Sequence, residues 1–510
     1  MAFIHRFGAV LGVIAGVTLA SCSFAAPSTL APVALDSGPV QGVEATATVS
    51  YKGIPFAAPP VGALRWAPPN PVTSWTNSRV SDHFGPGCPQ TPMKGSALVM
   101  NGGDTGATSE DCLFLNVWAP KAPPPAGQHY PVMVWLHGGG LKLGSGSIPW
   151  YDGTHFAEDG VVLVTLNYRL GPLGWLAHPA LSAAAKAKGE AFGNYGLMDQ
   201  IAALKWVQRN IGAFGGDPSN VTVFGESAGG FSVLMLLSTP AAHGLYAKAI
   251  IESGGSGYAM PLAEAEAKGA SLLGADLSLD QLRALPLDKI NTMEGAANSG
   301  EIIDGQLLTE AAAASMLNGR AAKVPLIIGS NSGEDSLLRD TPDAQAHLFS
   351  LIPPDRLAAV RAAYGEDGKS DRRFAHALFT DLHMGAPAHD FAAAASAGAP
   401  TFLYHFDYVP GSLKLFLPRA VHGMEIFFVF ETQDKTPVPA LISDADRAEG
   451  RLVHGCWVAF AKTGKPDCGV PWPAYDPSQD ALLYFGKDNG VKSGFRKDAY
   501  TALRGIWPVW

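Results

Sequence analysis

Apolar, β-branched segments recur along the chain and are separated by turn residues. The clearest of them are residues 132–137, 161–168, 221–225, 247–253, 324–331 and 401–408. Continuous apolar runs of this length are typical of strands buried on both faces of a sheet. Helical patterns lie between several runs, at residues 199–210 and 228–237 among others. The alternation predicts an α/β fold with a mainly parallel central sheet and helices on both faces.

Shorter elements before residue 115 are predicted to add antiparallel strands at one edge of the sheet. Pro-rich patches at residues 57–60 and 119–125 indicate loops, and no repeat or linker divides the chain. We therefore expect a single domain over residues 30–510. Ligands of open α/β sheets bind at the carboxyl ends of the strands, so functional side chains are expected there.

The N-terminal segment is typical of a secretory signal peptide. His5 and Arg6 precede an apolar run, residues 7–19, which is too short to span a bilayer and is followed by small residues. We assign residues 1–26 to this signal. Residues 19–22 resemble a bacterial lipoprotein box, which would leave a lipid-anchored Cys22 at the mature N-terminus. Residues 23–25 resemble an ordinary signal-peptidase site, which would remove Cys22 and leave a secreted or periplasmic protein.

The cysteine count agrees with export. If Cys22 is lipidated or removed, four of the five cysteines remain. Sequence neighbours pair most simply, as Cys88–Cys112 and Cys456–Cys468, and an oxidising compartment would stabilise such bridges. The alternative is four buried free thiols. No metal-ligand spacing is present, so no metal is expected.

Composition excludes two classes of protein. The chain is 47% hydrophobic and 16% charged, which is too apolar for a disordered protein. Its formal net charge is −9, and lysine and arginine are scattered along it. Nucleic-acid binders usually carry a basic stripe, so we expect no nucleic-acid partner.

The strongest chemical signal is Gly-Glu-Ser-Ala-Gly at residues 225–229. It follows the apolar run 221–225 and precedes a helical pattern, which is the strand–turn–helix context of a nucleophile elbow. The glycines permit a tight turn, and Ser227 would be presented at the positive end of the following helix. The sequence predicts Ser227 as a nucleophile, whereas the alternative is a plain turn.

A second glycine-rich segment, His-Gly-Gly-Gly, occupies residues 137–140 after another predicted strand. Ester cleavage passes through a tetrahedral oxyanion that requires backbone N–H groups already directed at it. We predict Gly139, Gly140 and Ala228 as these donors. A flexible turn would explain the glycines but not their occurrence together with the serine motif.

A serine nucleophile requires a base, which in this kind of fold lies last in the chain, after the acid. Among fourteen histidines, His422 stands beside glycine after the predicted strand 401–408. His405 lies within that strand and His454 within a helical pattern, so both are expected to be structural.

The acid should follow a strand between the serine and the histidine. Ser-Gly-Glu-Asp at residues 332–335 follows the run 324–331. Glu334 and Asp335 compete on spacing alone, and Asp304 is a third candidate that precedes the strand. The acid would accept a hydrogen bond from the histidine and stabilise its imidazolium form.

Several further segments resemble type B carboxylesterases, the group that includes cholinesterases and bacterial para-nitrobenzyl esterases. They lie at residues 53–57, 59–62, 64–66, 110–117, 167–169, 194–197 and 214–218. The resemblance covers residues 38–475 and implies an α/β-hydrolase fold without a cofactor. It aligns Glu334, not Asp335, with the family's acid and His422 with its histidine. It also implies a Cys88–Cys112 disulfide, with Ser253 near the acid and Glu226 near the nucleophile.

Two departures from the family pattern bear on the substrate. Leu141 follows the glycine triplet where many members carry phenylalanine, and no tryptophan lies between Cys88 and Cys112. Cholinesterases use an aromatic residue there to bind a quaternary ammonium group, so its absence argues against choline esters. Cys456–Cys468 has no family counterpart that the resemblance identifies.

The sequence thus predicts an exported serine carboxylesterase that hydrolyses small carboxylic esters through a Ser-His-Glu triad and an acyl-enzyme. One alternative is a lipase for long-chain esters, although no amphipathic lid is evident. A second alternative, a non-catalytic adhesion relative, is disfavoured because all three triad positions and the glycines are present. The natural ester and the oligomeric state are not predicted.

Overall fold

A computed structural model describes residues 30–91, 105–255, 257, 259–293, 300–436 and 438–506. The predicted signal peptide and Cys22 lie outside the described residues.

Sixteen strands are present in the described part of the chain. In chain order, β1–β16, they are Val33–Ala34, Pro39–Gln41, Val43–Glu44, Thr48–Pro55, Arg79–Val80, Phe114–Pro120, Tyr130–Leu136, Val162–Leu166, Gly216–Glu226, Lys248–Glu252, Met260–Pro261, Ile302–Ile303, Leu326–Asn331, Thr401–Phe406, Ala481–Phe485 and Gly490–Ser493.

The α-helices of the same part of the chain are numbered α1–α16. They are Thr154–Glu158, Gly171–Gly174, Pro179–Lys188, Tyr195–Asn210, Ala228–Ser238, Leu262–Leu273, Leu279–Arg283, Leu287–Asn291, Ala312–Leu317, Pro342–Ser350, Leu357–Ala363, Asp371–Thr380, Ala386–Ser396, Ile426–Val429, Asp444–Thr463 and Lys497–Leu503. A π-helical turn at Asp381–Gly385 joins α12 to α13.

Eleven strands form one sheet in the order β16-β15-β14-β13-β10-β9-β7-β8-β6-β4-β3. The strands from β15 to β8 are parallel to their neighbours. The pairs at the two edges are antiparallel. The sheet therefore confirms the predicted mainly parallel centre. Of the early strands, β3, β4 and β6 form the antiparallel edge that the sequence indicated, whereas β1, β2 and β5 form a separate three-stranded sheet.

The centre of the sheet is buried on both faces. On β7, Val132, Val134 and Leu136 pack into one hydrophobic core, whereas Met133 and Trp135 pack into the core on the other face. Alternate side chains of a strand point to opposite faces, so both sets must be apolar. This is why the predicted strands read as continuous apolar runs rather than as alternating patterns.

All six predicted apolar runs are strands, with shifted ends. The strand predicted at residues 221–225 extends over Gly216–Glu226. The helix predicted at residues 199–210 begins at Tyr195, whose side chain is buried. The Asn-Tyr-Gly start of that helix lacks the apolar periodicity on which the prediction relied.

Both predicted disulfides are present, Cys88–Cys112 and Cys456–Cys468. Disulfides of this kind are typical of oxidising compartments such as the periplasm or the extracellular space. Within the described residues, none of the helices combines the length and hydrophobicity required to cross a bilayer.

Candidate active site

Ser227 lies in the turn between β9 and α5, with a strained backbone conformation of φ 57° and ψ −122°. The turn can be this tight only because glycines flank it. A Cβ at Gly229 would lie 1.9 Å from the carbonyl oxygen of Leu136, and one at Gly225 would lie 2.6 Å from the Gly229 backbone. The Ser227 amide donates to the carbonyl of Glu252, 2.9 Å away on the adjacent strand. Ser227 therefore lies in a tight strand–turn–helix connection at the carboxyl end of β9, which has the geometry of a nucleophile elbow.

The glycine loop follows β7, the strand beside β9. Gly139 and Gly140 have left-handed backbones, with φ 108° and 62°. A Cβ on Gly139 would lie 2.3 Å from the Leu143 carbonyl oxygen, so this loop conformation requires glycine there. The amides of Gly139, Gly140 and Ala228 donate to no other described residue. These three predicted donors are thus available for a substrate oxygen.

His137 contacts the backbone of the glycine loop through its buried side chain. Its Nδ1 lies 2.8 Å from the Gly138 carbonyl, and its ring stacks on Tyr168 at 4.4 Å between centroids. Burial lowers the pKa of His137 to about 4. A neutral, fully buried imidazole in this position holds the loop and has no access to a substrate.

Glu334 is fully buried just after β13 and has three partners. Its Oε1 accepts hydrogen bonds from the Ser253 hydroxyl and from the backbone amide of Asn331, both at 2.6 Å. Its Oε2 lies 2.5 Å from Nδ1 of His422. This geometry separates the two carboxylates between which the spacing could not choose, because Glu334, not Asp335, contacts the histidine.

The other candidates have structural partners. Asp335 binds His376 at 2.5 Å and Arg419 at 2.6 Å. Asp304 accepts from the Asn194 side chain at 2.6 Å. His405 is buried within β14, where desolvation lowers its pKa to about 3. His454, in α15, contacts the backbone carbonyl of residue 429 through Nδ1 at 2.7 Å.

The second nitrogen of His422 faces Glu226 rather than the serine. Nε2 lies 3.1 Å from Glu226 Oε1, within ion-pair distance, but the pair is not aligned as a hydrogen bond. His422 Nε2 has no hydrogen-bond partner among the described residues, so its bond to Ser227 Oγ is not formed in this conformation. Such bonds often tighten only when substrate is bound.

The charges around His422 favour its protonated form. Burial lowers the pKa of His422, but the carboxylates of Glu226 and Glu334 outweigh burial and raise it above its ordinary value. Burial raises the pKa of Glu226, whereas the His422 imidazolium lowers it. The titrations of the two side chains are therefore coupled, because the charge of Glu226 changes the pKa of His422 and the charge of His422 changes the pKa of Glu226.

Sequence reasoning missed two further buried glutamates. The Glu252 carboxylate accepts from Trp457 Nε1 at 2.8 Å, and Glu425 contacts the Asn331 side chain. Burial raises the pKa of Glu425, and it raises the pKa of Glu252 to about 8. Glu425 stands three residues after His422, a spacing that could have identified it. The contact between Glu252 and Trp457 joins residues 205 positions apart and left no local signal.

Comparison with known proteins decides the family. A model of the carboxylesterase family matches residues 30–503. This chain belongs to the carboxylesterase family. Fumonisin B1 esterase of Sphingopyxis macrogoltabida is 38% identical, covering 90% of this chain and 87% of its own length. Para-nitrobenzyl esterase of Bacillus subtilis (strain 168) is also 38% identical, covering 88% and 93%.

Solved structures lead to the same result. A PNB esterase superposes with a TM-score of 0.80 at 35% identity, covering 92% of this carboxylesterase and 99% of the other chain. A thermophilic PNB esterase gives a TM-score of 0.81 at 35% identity. The α/β-hydrolase fold and the prediction of a carboxylic-ester hydrolase are thereby confirmed. These relatives do not favour the lipase alternative.

Among the described residues, no group of three or more His, Cys, Asp or Glu side chains is arranged to hold a metal ion.

Proposed function

We propose that this carboxylesterase hydrolyses small carboxylic esters by acyl transfer to Ser227, with His422 as base and Glu334 as the acid. The observation that carries the proposal is the Glu334–His422 contact beside a serine in a strained elbow. Glu334 fixes Nδ1 of the imidazole as the protonated nitrogen, so that Nε2 is left to act on the serine.

The reaction requires a small movement of His422. When Nε2 turns from Glu226 towards Ser227, it takes the hydroxyl proton while Ser227 Oγ attacks the ester carbonyl. The imidazolium then protonates the departing alkoxide as the C–O bond breaks, which leaves an acyl-enzyme and free alcohol. Water, deprotonated in turn by His422, then attacks the acyl carbonyl carbon. The imidazolium returns the proton to Ser227 Oγ as the acyl C–O bond breaks, which releases the carboxylic acid and restores Ser227.

The free amides of Gly139, Gly140 and Ala228 supply the oxyanion site in this proposal. The amide of Ala228 opens α5, where unpaired N–H groups and the helix dipole both favour negative charge. Loss of one such donor in serine hydrolases costs roughly a hundred- to a thousandfold in turnover.

The test is hydrolysis of para-nitrophenyl esters by the parent, by Ser227→Ala and by a control variant, Ser219→Ala, whose serine is exposed on the same strand. Ser227→Ala should lose several orders of magnitude, since members of a triad act as a unit. A serine-directed phosphonate should label the parent and Ser219→Ala at Ser227 alone. Undiminished turnover in Ser227→Ala would rule out the assignment.

We also propose that the protein is exported, a location that two disulfides support. Mass spectrometry of the mature N-terminus in its host distinguishes a lipidated Cys22 from cleavage after residue 25. A full-length, reduced chain in the cytoplasm would contradict export.

A further inference from the structure

His422 lies much farther from the end of a strand than the other two triad candidates. Ser227 directly follows β9 and Glu334 lies just after β13, whereas residues 407–421 separate His422 from β14. Within that segment, residues 411–418 are largely exposed and contain one short helical turn. The backbone of His422 must therefore be held in place by contacts with another part of the chain.

The segment that makes these contacts also carries Glu334. We call residues 331–336 the acid turn and residues 419–422, which lie against it, the histidine loop. The Gly333 amide donates to the carbonyl of Ala420 at 2.8 Å. A Cβ at Gly333 would lie 2.7 Å from the same carbonyl oxygen, so the two backbones approach as closely as glycine permits.

Two side chains of the acid turn extend the contact in both directions. The Ser336 hydroxyl accepts a hydrogen bond of 3.0 Å from the backbone amide of His422. The Asp335 carboxylate accepts from Arg419 at 2.6 Å and lies 2.5 Å from Nδ1 of His376 on α12. Asp335 is only 8% exposed, and hydrogen bonds to a charged group are stronger than neutral ones. The histidine loop is thus fixed at its first and last residues.

Three consecutive side chains of the acid turn therefore contact three parts of one loop. Glu334 contacts the imidazole ring, Ser336 the amide of the same residue, and Asp335 the arginine at the start of the loop. In the proposed mechanism the ring turns from Glu226 to Ser227, and it can keep its bond to the acid only if its backbone stays in place. A misplacement of about 1 Å in a reacting group can cost roughly a hundredfold in rate.

We propose that Asp335 and Ser336 are positioning residues for His422, which hold the histidine loop on the acid turn while the imidazole moves to Ser227. The inference rests on the proposed function, since that mechanism supplies the movement. Neither residue contacts the substrate in this account, so their loss should lower turnover and leave substrate affinity unchanged. Asp335, which spacing alone offered as the acid, acts on the same histidine through its backbone.

Hydrolysis of para-nitrophenyl acetate, normalised to the sites that a serine-directed phosphonate titrates, tests the proposal. Arg419→Gln and Ser336→Ala should each lower kcat by roughly three- to tenfold, as expected for one hydrogen bond, with KM within about twofold of the parent. The double variant should lose more than the product of the two factors, because each single variant retains the other contact. Arg419→Lys, which keeps the charge, should recover most of the loss. A parent-like kcat in the double variant, or a change confined to KM, would overturn the proposal.

Arg209→Gln and Ser219→Ala are the matched controls. Arg209 forms a partly exposed ion pair with Asp36 at 2.7 Å, and the Ser219 hydroxyl donates to the Asp217 side chain at 2.6 Å. Both controls remove the same chemical groups far from the acid turn in sequence and should keep the kcat of the parent. All variants are assayed well below their melting temperatures, as followed by circular dichroism. A comparable loss of kcat in the controls would count against a specific positioning role.

The proton between His422 and Glu334 provides a readout that a general loss of stability does not move. Proton NMR of the parent, at a pH where the imidazole is protonated, should show a strongly downfield Nδ1 resonance that is absent from His422→Gln. In the Arg419→Gln, Ser336→Ala double variant this resonance should exchange faster with water, whereas the two controls should match the parent. An unaltered resonance in a double variant of lowered kcat would refute the positioning role.

Failure of the proposed function would be seen separately. If Ser227→Ala keeps the turnover of the parent, the catalytic assignment is wrong and no positioning of His422 for Ser227 is required. If Ser227→Ala is inactive and the double variant turns over like the parent, the positioning inference alone is wrong.

Discussion

Replacing Glu226 by glutamine should extend the activity of this carboxylesterase to lower pH. The Glu226 carboxylate lies 3.1 Å from His422 Nε2; Glu226 is buried, and the His422 side chain is 11% exposed. Its negative charge stabilises the imidazolium and so raises the pKa of His422. In the proposed mechanism a protonated His422 cannot accept the Ser227 proton, so this charge would shift formation of the active base to higher pH. Glu226→Gln removes the charge and keeps a polar group of similar size.

The distance sets the size of the effect. Two unit charges 3.1 Å apart interact by about 5 kcal/mol at an effective dielectric constant of about 20. That energy corresponds to about four pKa units as an upper limit. Burial leaves Glu226 only partly ionised near neutrality, and the glutamine amide retains a dipole there. We therefore expect the acidic limb of the pH profile of kcat/KM to move to lower pH by about one to two units, each of which corresponds to about 1.4 kcal/mol.

The assay is the pH dependence of kcat/KM for a para-nitrophenyl ester, whose acidic limb reports the base of the free enzyme. Glu226→Asp, which withdraws the charge by one methylene, should give an intermediate shift. Glu252→Gln is the matched control, because its carboxyl is buried nearby and raised in pKa to about 8, hence largely uncharged. An unmoved limb in Glu226→Gln would mean that Glu226 is neutral wherever His422 acts as base, and a limb moved upward would refute the reasoning.

Two further predictions concern stability. Ser253→Ala deletes a hydrogen bond to the buried Glu334 carboxylate and should lower the free energy of unfolding in urea by about 1.5–3 kcal/mol; Ser253→Gly should recover about 1 kcal/mol of that loss, because residue 253 has φ 48°. Equal losses in the two variants would exclude backbone strain at this position. Cys456→Ala with Cys468→Ala opens a loop of 12 residues and should lower the free energy of unfolding by about 3 kcal/mol. A parent whose urea midpoint is insensitive to reductant, with its thiols shown to be free, would contradict this expectation.

The sequence predicted the parts of the site that depend on neighbouring residues. The turn around Ser227 joins an apolar strand to a helix within a few positions, and the glycine loop directly follows a strand, so both could be read from local pattern. The choice between Glu334 and Asp335 could not, because the short turn after β13 sends adjacent side chains to different partners. Only the family resemblance favoured Glu334 before the structure was known.

An apolar cavity of about 190 Å³ beside His422 could not be predicted from the sequence either. Trp150 and the segments at residues 410–428 and 433–442 are far apart in sequence, and each reads as an ordinary apolar stretch. Whether such stretches close over a core or leave a space depends on packing between them, which the linear pattern does not encode.

Three residues of the candidate site have strained backbone conformations. Leu141, Ser227 and Ser253 are non-glycine residues with φ between 48° and 58°, and they follow β7, β9 and β10, three consecutive strands of the sheet. Such conformations cost about 1–3 kcal/mol each and persist only where surrounding structure over-determines them. The buried parallel strands beneath provide that rigidity. The same strand ends hold Ser227, the loop with the proposed oxyanion donors and the hydroxyl that supports Glu334. Three of the seven non-glycine residues with positive φ in the described part of the chain therefore lie at the candidate site.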